Sequence, residues 1–518
     1  MSEHLSIEAS TFWELVEARA SITPDLVVIV DEHGRTVTAA GYRAAAERAA
    51  AGFVDEGVRA GDTVAWQMPT WIETMVLLAA LARLGVRQVP MLPIYRDREL
   101  AFCMSQTGAS LLCVPAVWRG NDYAEMAERV RAEHGGFTVR VCDRTLPDAD
   151  PSMLPPAPTP ASADEVRWIY YTSGTTADPK GAQHTDRSAI AAAKGFAIRQ
   201  HVRYGDRFGI AFPFTHVGGL NNLIAGLRVG MALVLVEAFD PAAAAQVFRA
   251  NDVTIVGGAP AFYLSFIELQ RKQPGVSVLP ALRFMTGGGA PMPPEMHLEV
   301  TREIGGLGVG HGWGMTESCI TAINDPTDTD DHLMHTSGKA VLGMTIKTVL
   351  PDGSAAPSGI DGEMRIRGDS VMLGYLDPAL NADAFDADGW FRTGDIGHLD
   401  QDGYVVITGR MKDIIIRKGE NISAKEIEDL LYTHPKVLDA AVIGLADRER
   451  GEMVCAVVEL RDAADPITLA DIVRYCVDAA VMRQKIPERL EVVTSLPRNA
   501  TGKVLKHELR ARFARLPA

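Results

Sequence analysis

The chain has 518 residues, 47% hydrophobic and 23% charged, with a formal net charge of −15. That length exceeds what one hydrophobic core supports, so at least two domains are expected. The acidic balance speaks against nucleic acid or an anionic membrane as main partner, and any anionic ligand needs locally gathered lysines, arginines and amides.

The first residues have neither a basic n-region nor an apolar h-region, so no secretion signal is expected. The best apolar run, Thr74 to Val86, is broken by Arg83 and is too short to span a bilayer, so no integral membrane segment is expected. Cys103, Cys113, Cys142, Cys319, Cys455 and Cys476 are scattered, with no Cys-x-x-Cys and no Cys/His metal spacing. A reduced, cytoplasmic protein without structural zinc is the expectation.

From about Thr11 to Leu350, short β-branched or apolar runs alternate with alanine-rich stretches. Helix is predicted over Ala39–Gly52, strand over Thr63–Trp66 and helix over Ile72–Leu84. Strands follow at Arg167–Tyr171 and Ala232–Val236, a helix at Pro241–Ala250, and strands at Val253–Val256 and Leu282–Met285. This alternation predicts layered α/β structure. Pro151–Ala161, crowded with proline, reads as a linker or surface loop. Between Gly343 and Gly409, Asp352-Gly353, Asp388-Gly389 and Asp402-Gly403 each divide short β-like runs, predicting hairpin turns in a small antiparallel subdomain.

After Arg410 the pattern shifts again. Ser423 with Glu426 predicts a capped helix, with Ile422 and Ile427 in the staple positions. Strands are predicted at Val437–Leu445 and Val454–Leu460, and Thr468 with Asp471 caps a further helix. The expected fold class is therefore α/β. A large N-terminal domain of layered subdomains plus a β-rich subdomain, residues 1–411, precedes a small mobile α+β domain, residues 412–518.

Tyr171 to Gly181 reads Tyr-Thr-Ser-Gly-Thr-Thr-Ala-Asp-Pro-Lys-Gly and directly follows a predicted strand. Glycines let backbone N–H groups approach an anion, hydroxyls add donors, and Lys180 adds a full charge. A polyphosphate-holding loop has this composition. It is not a Walker A loop, because no Ser or Thr follows the lysine. Further motifs come in order: Thr286–Pro291 (Thr-Gly-Gly-Gly-Ala-Pro), Gly312–Ser318 (Gly-Trp-Gly-Met-Thr-Glu-Ser) and Phe391–Asp395 (Phe-Arg-Thr-Gly-Asp). Gly409–Asp413 (Gly-Arg-Met-Lys-Asp), Lys418–Ile422 and Pro497–Lys503 (Pro-Arg-Asn-Ala-Thr-Gly-Lys) complete the set.

Together and in this order, these motifs resemble the adenylate-forming superfamily of acyl-CoA synthetases, adenylation domains and luciferases, over about Thr11 to Arg510. The resemblance implies ATP, Mg²⁺ and CoA as ligands and a carboxylic acid as substrate. It assigns Thr172, Ser173, Gly174, Thr175, Thr176 and Lys180 to the β- and γ-phosphates. Gly289-Ala290-Pro291 becomes the adenine-binding turn, and Trp313, followed by Gly314, stacks on the base. Thr316 contacts the α-phosphate and Glu317 the metal, which fits a carboxylate needing a hard cation beside ATP. Asp395 takes the ribose hydroxyls with Arg410 as second contact. Asp413 is the hinge, Gly419 lines the thiol tunnel, and Lys503 stabilises charge as the acid attacks phosphorus.

Phe212–Gly219 (Phe-Pro-Phe-Thr-His-Val-Gly-Gly) resembles the segment whose histidine, here His216, covers the acyl pocket. Nothing anionic awaits a substrate amine there, so an uncharged, apolar acid is expected. Arg417 and Lys418, ahead of Gly419, are expected to help hold CoA phosphates. The stretch from Arg417 to Leu431 looks most like ligases for medium-chain, alicyclic or aromatic acids. The alternative is a ligase that loads an acyl or aryl acid onto a carrier protein, and a homodimer is compatible with the sequence.

Overall fold

The computed structural model of the chain describes residues 6–172, 179–417, 420–447, 450–479, 481–499 and 502–514. Among them, a nine-stranded sheet sets Val309–Met315, Phe284–Gly287, Ile255–Gly258, Arg207–Ile210 and Ala232–Leu235 side by side, all parallel. A seven-stranded sheet begins at Gly374–Tyr375, Gly181–Thr185 and Val166–Tyr171, then continues through Arg87–Pro90 and Thr63–Trp66. Parallel strands need both faces covered. Helix Ile72–Arg83 supplies part of that cover and is buried at nearly every position. That is why its sequence is apolar all round rather than striped.

Two boundaries differ from the sequence reading. The helix expected to stop at Gly52 continues to Asp55. Gly52 marks a close approach instead, since a Cβ there would lie 2.5 Å from Pro147 Cβ. The strand expected from Leu282 starts at Phe284, because the Leu282 N–H closes a turn on the Leu279 carbonyl. The expected hairpin glycines, Gly353, Gly389 and Gly403, have φ of +88°, +78° and +81°. They link the strands of a four-stranded antiparallel sheet, Met344–Val349, Gly362–Gly368, Phe391–Leu399 and Val405–Arg410.

A fourth sheet follows the short turn Met411–Asp413. It contains Glu420–Ser423, Ile414–Arg417, Gly451–Leu460 and Val437–Asp447, with Arg489–Val493 alongside Gly451–Leu460. Ile422 and Ile427 are buried under it, and the Thr468/Asp471 capping box forms. Ser423 does not cap helix Ala424–Tyr432. Its hydroxyl donates to the Thr408 carbonyl, tying the small sheet to the strand that precedes it. No helix among the described residues is long and apolar enough to cross a membrane.

One buried cation holds a helix that later forms a wall of the site. Helix Phe12–Ile22 starts at Thr11, whose hydroxyl accepts the Glu14 N–H. Its Arg19 is fully buried and donates to the Leu227 carbonyl at 2.6 Å and the Arg228 carbonyl at 2.8 Å. These belong to the last turn of helix Val217–Val229, where a cation meets the negative end of the helix dipole. Arg19→Leu is expected to cost about 2 kcal/mol by taking the donor from the Leu227 carbonyl, while the Arg228 carbonyl keeps the Ile7 N–H at 2.9 Å, read as a lower urea midpoint. An unchanged midpoint would show that the helix end does not depend on Arg19.

Candidate active site

A cavity of about 1180 Å³ opens where the carboxyl ends of Ile255–Gly258, Phe284–Gly287 and Val309–Met315 meet the four-stranded sheet and the small domain. Chains leave parallel sheets at that end and expose backbone amides, so ligands bind there in α/β folds. The backbones crowd closely. A Cβ on Gly287 would stand 1.9 Å from the Gly258 carbonyl oxygen, and one on Gly288 would stand 2.3 Å from that of Gly312. Gly287 and Gly288 are thus required by packing and Gly289 by its φ of +81°, and Ala290 and Pro291 follow along the cavity.

The residues expected to hold a nucleoside form one connected unit. Trp313 is buried and donates its indole N–H to Asp395 Oδ2 at 2.8 Å. Asp395 Oδ1 faces Arg410 Nε at 3.0 Å. Lys503 enters the same cavity from the small domain. Burial, with Arg410 adding to it, pushes its ammonium down to about 8 against the opposing pull of Asp395 and Asp413. Its loop seats on the large domain, with Gly502 at φ +86° pressed toward Ala259 and Phe262. Asp413 ends the turn between the sheets. Burial alone would raise its carboxyl, but Lys506 and Arg510, the latter at 2.9 Å, outweigh that and hold it below the usual range.

On the opposite side, the Thr172 N–H donates to the Lys180 carbonyl at 3.0 Å, closing the base of the expected phosphate loop. Ser173, Gly174, Thr175 and Thr176 lie outside the described residues, as do Lys418 and Gly419. Lys180 Nζ stands 5.0 Å from the Tyr375 ring centroid, and the Tyr375 hydroxyl donates to Glu317 Oε1 at 2.6 Å. Burial first, then Glu317, raises that phenol. Gly314 leads into Thr316 and Glu317, and the Thr316 carbonyl accepts from His184 Nε2 at 2.8 Å. Burial lowers His184 to about 4, so it stays neutral with its proton on Nε2. The Glu317 carboxylate is a hard oxygen donor, which suits magnesium.

His216 precedes helix Val217–Val229, and its Nδ1 accepts the Gly218 N–H at 3.2 Å. Burial lowers it to about 4, leaving a neutral ring edge-on to Phe212 at 6.3 Å. Phe212, Val217 and Gly257 line this end of the cavity. Arg417 is not free to meet an anion in this arrangement. It forks onto Glu488 at 2.6 and 3.0 Å within the small domain.

Tyr375 and His184 were missed by sequence reasoning. His184 lies just past Lys180-Gly181, where a polar residue in a buried strand was a usable signal. Tyr375 offered none, because its strand pairs with Ala182 across a long loop in sequence.

The chain belongs to the AMP-binding enzyme family. The family profile matches residues 16–376, and the profile of the AMP-binding enzyme C-terminal domain matches residues 426–503. The chain is 32% identical over 512 residues to the medium-chain fatty-acid–CoA ligase of Escherichia coli (strain K12), covering 96% of this chain and 89% of that protein. It is 33% identical over 531 residues to the 2-hydroxy-7-methoxy-5-methyl-1-naphthoate–CoA ligase of Streptomyces carzinostaticus, covering 97% and 93%. It also matches O-succinylbenzoate coenzyme A synthetase (MenE) from Bacillus subtilis, solved with ATP and magnesium ion. There the TM-score is 0.82 and identity 28%, over 96% of this chain and 98% of that one.

Tyr375→Phe keeps the ring beside Lys180 and removes the bond to Glu317. The KM for magnesium-ATP is expected to rise about tenfold, the scale of one hydrogen bond to a charged group, with little change in Tm. An unchanged KM would separate Glu317 from nucleotide binding.

Proposed function

We propose that the chain is an ATP-dependent acyl-CoA synthetase. It activates an apolar carboxylic acid, medium-chain, alicyclic or aromatic, as an acyl-adenylate and passes the acyl group to CoA, releasing AMP and pyrophosphate. The observation that carries this reading is one cavity that combines three features. Trp313, Asp395 and Arg410 form a connected unit, Lys180 and Lys503 approach from different domains, and among the described residues the end beside His216 has no charged lining. The names of the CoA-ligase relatives support the acceptor and the acid class.

In the first half-reaction the acid's carboxylate attacks the α-phosphorus and pyrophosphate leaves. Lys180 and the loop before it take the β- and γ-phosphates, Thr316 the α-phosphate, and Asp395 with Arg410 the ribose. Glu317 would hold magnesium, which would supply positive charge to the phosphates. The Lys503 ammonium faces the charge that develops at the attacked centre. Neutral His216 covers the acid without offering it a competing cation. In the second half-reaction the small domain, residues 412–518, turns about Asp413, and the CoA thiol attacks the acyl carbon, expelling AMP. Splitting the reaction through the mixed anhydride replaces a poor leaving group with a good one.

The primary test is AMP formation from magnesium-ATP across a panel of hydrophobic acids, with and without CoA. CoA-dependent AMP release with one acid class is the expected result. Pyrophosphate exchange without CoA-dependent turnover would instead identify a carrier-protein acceptor. Lys503→Ala is expected to lose adenylation by at least about a hundredfold while still thioesterifying a supplied acyl-adenylate, and equal loss of both halves would contradict its role. Because the ammonium titrates near 8 in the free protein, adenylation kcat/KM should fall as pH rises through about 8. Lys503→Arg should move that limb upward.

A further inference from the structure

Helix Val217–Val229 forms one wall of the acyl end, and its sequence is apolar except for Asn221, Asn222 and the terminal Arg228. Both asparagines are buried, 4% and 5% exposed, and both line the cavity. Among the described residues, Asn221 Oδ1 has no hydrogen-bond partner. A buried amide left unpaired destabilises a fold, and leucine or alanine would suit this wall better unless something else supplied the partner.

A side void of about 10 Å³ adjoins Asn221 and is also lined by Tyr170, whose hydroxyl likewise lacks a partner. That space is at the lower limit for one water. One water there serves a single end of the Asn221 amide. Whichever way the amide is turned, its other end is left for the cavity, as a donor or as an acceptor. The surrounding wall adds no charge. Among the described residues, helices Asp186–Arg199 and Val217–Val229 and strands Arg207–Ile210 and Ile255–Gly258 contribute only uncharged residues to the lining, among them Phe196 and Phe208. A second carboxylate or an amine on the ligand would find no counter-ion there.

We infer that the acid carries a neutral oxygen substituent, a hydroxyl or an oxo group, on its otherwise apolar body, bound by Asn221 with Asn222 beside it. This rests on the acyl-CoA synthetase reading and narrows its substrate class. A site built to hydrogen-bond such a group discriminates against the plain hydrocarbon analogue, which leaves the buried amide unpaired.

The test uses matched pairs in the CoA-dependent AMP-release assay. The pairs are cyclohexanecarboxylate against its 3-hydroxy, 4-hydroxy and 4-oxo derivatives, benzoate against the hydroxybenzoates, and octanoate against hydroxyoctanoates. In at least one pair the substituted acid should be favoured tenfold or more in kcat/KM. Asn221→Leu should bring that ratio to about one, and Asn222→Leu should reduce it. The Asn221→Leu protein should melt no lower than the parent, since an apolar group of similar volume replaces an unpaired amide. Preference for the plain acid in every pair, or a ratio untouched by Asn221→Leu, would overturn the inference while the synthetase reading stood. A large fall in Tm would also overturn it, by showing the amide to be bonded within the protein. No AMP from any acid, with ATP still bound in equilibrium dialysis, would remove the synthetase reading itself.

Discussion

The Asp395 carboxylate is the point through which the parts of this molecule are joined. It sits on the four-stranded sheet, accepts the indole N–H of Trp313 from the nine-stranded sheet, and pairs with Arg410, the last residue before the turn into the small domain. Its field also reaches Lys503 on the far side of that turn. A buried carboxylate is tolerable only when bonded and paired. The same two contacts that satisfy it therefore orient the tryptophan and anchor the strand leading to Asp413. Without it, Trp313 would hold an unpaired buried N–H and Arg410 would lose its counter-charge.

The cations around it show how a chain of net charge −15 accommodates a polyanion. Lys180, Arg410 and Lys503 come from three separate regions and line one cavity. Burial and Arg410 lower the Lys503 ammonium to about 8, and a phosphate beside it would favour the charged form. Among the described residues, three contacts illustrate how the small domain seats on the large one. Tyr432 is buried against the large domain and donates to Glu299, Ser423 donates to Thr408, and Gly502 abuts Ala259. Tyr432 joins the large domain's apolar cluster, whereas the other two are single local contacts.

The acyl end follows different physics. Neutral His216, the phenylalanines and the glycine-bearing strand ends make a wall without charge. Helix Val217–Val229 is held at its far end by Arg19, from the first helix of the chain. Among the described residues no charged side chain lines this wall, which leaves it shape and the buried Asn221 and Asn222 amides to offer a ligand.

Much of this was legible in the residues. The alternation of apolar runs gave the α/β layers, Asp-Gly pairs marked the hairpins, and the ordered motifs located Lys180, Trp313, Glu317, Asp395, Arg410 and Lys503, because these features depend on neighbours within a few positions. Gly52 misled, since a glycine placed for a close crossing by the 147–148 backbone looks locally like a helix stop. Ser423 misled for the same reason, its hydroxyl being claimed by Thr408 rather than by its own helix. By itself, then, the sequence determined the class of chemistry and the order of its parts. Only the tertiary structure decided that Asp395 is shared between Trp313 and Arg410, that Tyr375 serves Glu317, that Arg417 is taken by Glu488, and that Asn221 is buried with an unpaired oxygen. Each of these depends on which distant side chain occupies the space opposite, and local pattern carries no information about that.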